Sequence, residues 1–246
     1  MEANGNVNTA ELSNLAVKDI VATNFKSAEV FEKYGIDFCC KGNRPLHQAC
    51  EENGVNIDSL AGELRNVFES GTTDANRYDT WSLSYLADFI LNNHHTYVKN
   101  ASPVVLARLE KVVRAHGKNH PFVMDVAGLF EAVSRDLENH LAKEEQILFP
   151  MIKKIDEARN SGNKEALQHL AGVSGPIAVM MHEHDQAGEM LDRIRKITDN
   201  FTLPADACTT FAVTYKELDE FEKDLHKHVF LENSILFPKS LEAAGV

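Results

Sequence analysis

A chain of 246 residues is long enough for one large domain, or for a medium domain and a small one. With 43% hydrophobic and 25% charged residues it has a globular composition, and a formal net charge of −12 argues against nucleic acid or an anionic membrane as its partner. The polar start MEANGNVNTAELSN has no basic and no apolar stretch of the signal-peptide kind, and no apolar run is long enough to span a bilayer.

The first 70 residues read as a small helical domain. Ser27–Tyr34 (SAEVFEKY) is a short helix that ends at Gly35, and the loop IDFCCKGNR follows. Pro45 suits a first helical residue. Asp58 suits an N-cap, with Ala61, Leu64 and Phe68 after it at helical spacing. Residues 71–80, rich in Thr, Asp and Asn, read as a linker. From 81 to 246 the pattern is helical, in four long segments near 81–116, 121–158, 176–198 and 204–242. Pro103 is expected to interrupt the first, and Pro150 and Pro238 to bend or end the second and fourth. Short connections between long amphipathic helices imply antiparallel neighbours. The fold class is therefore all-α: an up-down-up-down four-helix bundle preceded by a small helical domain.

The strongest signal is an internal repeat. Residues 140–150 read HLAKEEQILFP and residues 228–238 read HVFLENSILFP. His, Glu, Ile, Leu, Phe and Pro recur at the same relative positions, 88 residues apart. His95 precedes His140 by 45 residues, and His184 precedes His228 by 44. Positions i and i+4 share a helix face, so His140 with Glu144, and His228 with Glu232, reach one inward point. His95 and His184 face them from the other two helices. Packing alone would repeat Ile-Leu-Phe-Pro without repeating His and Glu. Imidazole plus carboxylate suits iron or manganese, whereas thiolates would favour zinc. The expectation is two non-haem iron ions per chain, bridged by the glutamates. Two carboxylates cannot neutralise two such cations, so a bridging oxide or hydroxide is expected, together with an open position for a small ligand.

The other histidines and acids sort by helical phase. His182 and His226 lie two residues before proposed ligands and point away from them, to solvent. Phase permits either His94 or His95, and the repeat spacing favours His95. His47, His116, His120 and His169 read as surface residues. Asp136, one turn before His140, is either the acceptor for a ligand histidine's far nitrogen or a solvated acid. Glu183 carries a weak signal for lining an access path, and Glu145 points off the ligand face. Cys39 and Cys40 are adjacent and unsuited to bonding each other. No secreted disulfide framework is present, which points to a cytoplasmic protein with reduced thiols. Cys50 and Cys208 have no assigned role, and Cys208 reads as structural.

YGIDFCCKGNRPL, HLAKEEQILFP, EHDQAGEML and HVFLENSILFP together resemble the iron–sulfur cluster repair di-iron proteins, a family with a hemerythrin-like bundle and a small N-terminal Cys-Cys domain. The resemblance spans residues 12 to 240. It implies His95, His140, Glu144, His184, His228 and Glu232 as ligands, and settles on His95 over His94. It also implies Cys39 and Cys40 as paired thiols that handle iron or do redox chemistry. Compared with simple hemerythrins, this chain has fewer histidines and both carboxylates at i+4, which argues against reversible oxygen carriage. What the family implies is a homodimeric cytoplasmic stress protein that restores iron–sulfur proteins damaged by nitric oxide or peroxide, with iron donation as the first reading. The alternatives are a nitric oxide reductase, which needs an electron donor the sequence does not show, and a non-catalytic oxygen or nitric oxide sensor or carrier, which would not need the N-terminal domain. Whether the chain turns anything over is left open at this point.

Overall fold

The computed structural model describes residues 9–70 and 77–246. Among them the regular elements are helices, and Ala16 and Pro45 form an isolated antiparallel bridge. The chain divides into two compact units: residues up to Trp81 together with Phe230–Ile235, and Ser82–Val229 with Leu236–Val246.

The first unit holds five short helices: α1 (Thr9–Asn14), α2 (Val17–Thr23), α3 (Ser27–Lys33), α4 (Leu46–Glu52) and α5 (Ile57–Glu69). Val17, Ile20, Val21, Phe31, Leu46, Leu60 and Leu64 are buried between them. Gly35 follows α3 at φ +66, the left-handed conformation that a helix end favours and glycine adopts without strain. Two starts differ from the sequence expectation. Pro45 sits just outside α4 as its N-cap, in extended geometry. The cap of α5 is Asn56, whose side chain accepts from the Ser59 backbone N–H at 2.9 Å, so Asp58 falls in the first turn. Gly42 is obligatory for another reason: a Cβ there would lie 2.2 Å from the Phe38 carbonyl oxygen and 2.9 Å from Lys18 Cβ. Of the expected linker, residues 71–76 lie outside the described residues, and Tyr78–Thr80 form a 3₁₀ turn with Tyr78 buried.

Four long helical segments follow Trp81. The first joins α6 (Leu83–Ile90) to α7 (Thr96–His116) through a π-turn, Leu91–His95. The second joins α8 (Phe122–Lys143) to α9 (Phe149–Asn160) through the π-turn Glu144–Leu148. A short α10 (Lys164–Leu170), capped by Asn163 and absent from the sequence reading, leads to α11 (Ser174–Ile197). The fourth is α12 (Thr209–Leu231), continued by the π-turn Glu232–Leu236 into α13 (Phe237–Ala244).

Pro103 departs from expectation, whereas Pro150 and Pro238 fall at helix boundaries. Pro103 lies inside α7 without ending it. Pro150 and Pro238 occupy the first turn of the helix after each π-turn, where a missing N–H is tolerated. α8 packs between α7 and α11. Its buried residues Val123, Val126, Phe130, Val133 and Leu137 follow three-and-four spacing, the stripe that a core-facing helix requires. Phe130 meets Phe221 of α12 edge-on at 5.0 Å. Arg195 of α11 joins α12 through Asp219 at 2.9 Å and Glu222 at 2.6 Å.

Candidate metal centre

Polar residues interrupt the apolar stripes. On α8 the stripe runs on from Leu137 to His140 and then Glu144. On α11 it runs Ile177, Met180, His184, Ala187, Leu191. His95 precedes Val98, Ser102 and Val105 on the same face. His228 and Glu232 continue the stripe that carries Phe221 and Leu225. These six residues are at most 2% exposed. Fully buried carboxylates cost several kcal/mol each unless opposite charge compensates, so core packing is not a reason for them to be there.

Glu144 stands at the centre. One of its oxygens lies 3.3 Å from His95 Nε2 and 4.0 Å from His228 Nε2, and the other lies 3.4 Å from His140 Nε2. His184 Nε2 faces His140 Nε2 at 3.0 Å. The residues form two overlapping groups, His95/Glu144/His228/Glu232 and His140/Glu144/His184/Glu232, each with its donor atoms within 4.8 Å of one another. Each group has two imidazoles, and both glutamates belong to both groups. Two adjacent cations would find this set. With nitrogen and oxygen donors and no sulfur, it fits iron.

The far nitrogens of two imidazoles are held in matching ways. His95 Nδ1 lies 2.9 Å from Glu145, which Lys99 holds at 2.6 Å. His140 Nδ1 lies 2.9 Å from Glu183, which Lys143 also binds. Burial alone would raise both carboxyls. Hydrogen bonds from Lys99 and His95, and from Lys143 and His140, outweigh it and bring both below the usual carboxylate range. Such partners fix ring orientation and raise ligand basicity. Helical phase sets Glu145 off the face of His140 and Glu144, and leaves Asp136 as either such an acceptor or a solvated acid. Asp136 is the solvated acid, paired with Arg135 at 3.3 Å on the exposed side.

The repeated phenylalanines explain themselves here. Phe149 stacks on His95 at 5.3 Å, and Phe237 on His184 at 6.1 Å. His94 is also buried, but its Nδ1 turns to Asp224 at 2.9 Å. His182 is exposed and His226 half-buried. A cavity of about 320 Å³, lined by Asp136, His140, Lys143, Glu183, Gln186 and Met190, opens beside His140.

In the first unit, Asp37 Oδ1 accepts the backbone N–H groups of Cys39 at 3.0 Å and Cys40 at 2.9 Å, which presents the two thiols side by side. Their sulfurs are 3.7 Å apart and unbonded, and Asp37, Cys39 and Cys40 have donor atoms close enough to share an ion. The hydrogen bond with Cys40, burial and the Asp37 charge push the Cys39 thiol well up. His116 and His120, expected at the surface, are half-buried and grouped with Asp206. A hydrogen bond from His116 and the backbone N–H groups of Phe211 and Thr210 bring the exposed Cys208 thiol down to about 7.

A buried histidine–glutamate cluster between four helices is what a hemerythrin-type cation-binding domain offers, and the family model described as "Hemerythrin HHE cation binding domain" matches residues 86–240. A second model, a "Domain of Unknown function (DUF542)", matches residues 13–67. Over 216 residues the chain is 35% identical to the iron-sulfur cluster repair protein YtfE of Enterobacter sp. (strain 638), covering 88% of this chain and 91% of that one. Proteins of the same name from Yersinia pestis (strain Pestoides F) and Yersinia pseudotuberculosis serotype O:1b (strain IP 31758) are 34% identical over 219 residues, with the same coverage. The chain belongs to this hemerythrin-domain family of iron–sulfur cluster repair proteins. Among the described residues no helix is long and apolar enough to cross a membrane.

Proposed function

We propose that this chain holds two iron ions, one against His95 and His228 and one against His140 and His184, with Glu144 and Glu232 serving both, and that it repairs iron–sulfur clusters damaged by nitrosative or oxidative stress. The observation that carries the reading is the sharing of two fully buried carboxylates between two histidine pairs. The relatives' printed name, iron-sulfur cluster repair protein, supports the repair role. Bound iron supplies a redox-active, ligand-accepting centre. This chain's residues orient the imidazoles through Glu145 and Glu183 and exclude bulk water with an apolar shell. The cavity beside His140 gives nitric oxide or oxygen an approach.

Iron donation is the mechanism we favour. Asp37, Cys39 and Cys40 offer a second, sulfur-containing set in which iron is held as cargo. A raised Cys39 thiol keeps that sulfur protonated until a cation displaces the proton. We place the work in the cytoplasm, on damaged iron–sulfur proteins, by a homodimer.

The test is iron content and cluster repair on the same preparations. The parent chain carries about two irons and restores activity to an enzyme whose cluster nitric oxide has destroyed. His140→Ala and His228→Ala lose iron. Cys39→Ser/Cys40→Ser keeps the centre's iron and loses transfer. Unchanged repair by the double serine variant sinks the donor mechanism, and nitrous oxide as the sole product of turnover replaces it with reduction of nitric oxide. A parent chain with zinc or no metal overturns the centre itself.

A further inference from the structure

The bundle ends far from the iron centre in two loops that meet. α7 stops at His116, and residues 117–121 carry His120 toward α8. The other loop, residues 198–208, turns sharply where Asp199, Asn200 and Phe201 all have positive φ, then runs back to α12. It brings Asp206 to His120, with Oδ1 2.7 Å from Nε2. His116, His120 and Asp206 each offer a donor atom, all within 4.8 Å of one another. Cys208, exposed, lies two residues after Asp206 and immediately before α12. Phe211 and Phe122 flank the two imidazoles at 5.2 to 6.3 Å.

We propose that His116, His120, Asp206 and Cys208 form a mononuclear site for a divalent transition metal of the Zn²⁺ class. His116, His120 and Asp206 are three donors already gathered, and Cys208, two residues beyond Asp206, supplies the fourth when its side chain turns to them. One sulfur, two nitrogens and one oxygen are the set that tetrahedral zinc accepts and that magnesium and calcium refuse. One thiolate and one carboxylate balance a double positive charge, and the C-terminus of α7 adds its partial negative charge. Asp206 and Cys208 are exposed, so an ion enters from solvent without opening the fold. The 21 residues from His95 to His116 set the site about 31 Å along the helix from the bundle centre. Bound metal there clasps the two loops and shields the Cys208 sulfur.

Cobalt(II) is the probe, added to the iron-loaded full chain in a Cys39→Ser/Cys40→Ser background. One equivalent binds, with tetrahedral visible bands and a thiolate-to-cobalt charge-transfer band, and Zn²⁺ bleaches both. Cys208→Ser abolishes the charge-transfer band, and His120→Ala and Asp206→Asn lose the equivalent, while iron content and helicity stay at the parent level. Absence of cobalt binding, a pale octahedral spectrum without the sulfur band, or a sulfur band that survives Cys208→Ser overturns the site. So does a full equivalent retained in both His120→Ala and Asp206→Asn.

Discussion

Replacing Glu183 or Glu145 by glutamine tests how much of the centre's affinity lies outside its ligands. Each glutamate meets an imidazole Nδ1 at the same 2.9 Å, each is about a quarter exposed (25% and 24%), and each is held by a lysine one turn beyond that histidine. Glutamine keeps the shape and an acceptor oxygen but loses the charge that makes the hydrogen bond strong. Loss of such a partner lowers metal affinity roughly 10–100-fold. At about 1.4 kcal/mol per decade, that is roughly 1.4–2.7 kcal/mol for each variant. The matched geometry requires the two effects to agree within about threefold, or roughly 0.7 kcal/mol. Asp136→Asn is the control, because its carboxylate faces Arg135 and solvent. Chelator competition for iron on the three variants and the parent gives the numbers. A loss in Asp136→Asn equal to that in Glu183→Gln, or no loss in either glutamate variant, refutes the reasoning.

Two further outcomes follow from contacts around the centre. His94→Ala keeps its iron, because that ring faces Asp224, yet loses about 1–3 kcal/mol of stability with its buried hydrogen bond; His95→Ala shows the reverse balance, and iron analysis beside thermal unfolding separates them. Arg195→Met removes the partner of Asp219 and the buried Glu222, costing about 2 kcal/mol, or roughly 4–8 °C in melting temperature at neutral pH. Burial alone would raise the Asp219 carboxyl, but hydrogen bonds from Lys223 and Arg195 hold it below the usual range. Its contribution is therefore present above the unfolded value of about 3.9 and is lost as pH falls through the lower folded value, so the gap between parent and variant closes below about pH 4. A gap that stays constant with pH refutes the assignment to that ion pair.

How far the sequence led depends on what kind of regularity each feature has. Helical periodicity marks the four long segments because their buried residues recur at three and four. The duplication singles out His140, Glu144, His228 and Glu232 because packing has no need to repeat charge. It also carries Phe149 and Phe237, whose stacking on His95 and His184 is visible only once the helices are paired. Glu145 and Glu183 escape for a different reason: each acts on a histidine of another helix, and one helix's phase carries no information about its neighbour's. His116, His120, Asp206 and Cys208 escape for the same reason, since two loops 86 residues apart meet only in the fold.

The π-turns are the feature that periodicity cannot see, because one extra residue in a long helix vanishes in any window average. Each includes a proposed ligand: Leu91–His95 ends on His95, while Glu144–Leu148 and Glu232–Leu236 begin on the glutamates. π-bulges concentrate at functional sites, where the inserted residue re-aims side chains. In the second segment the bulge leaves Glu144 on the core stripe while Glu145, its neighbour, reaches His95 on the first. Deleting the exposed Gln146 restores an ordinary turn and keeps α8 and α9 in phase with their cores. The helix should persist with unchanged or raised stability, since the wider turn is the less favourable one. Iron affinity should fall at least tenfold, or about 1.4 kcal/mol, because Glu144 and Glu145 no longer serve both their partners. Circular dichroism, thermal unfolding and chelator competition together decide it. Full iron affinity in a stable deletion variant would make the π-turn a passive insertion and leave its place at the proposed ligands unexplained.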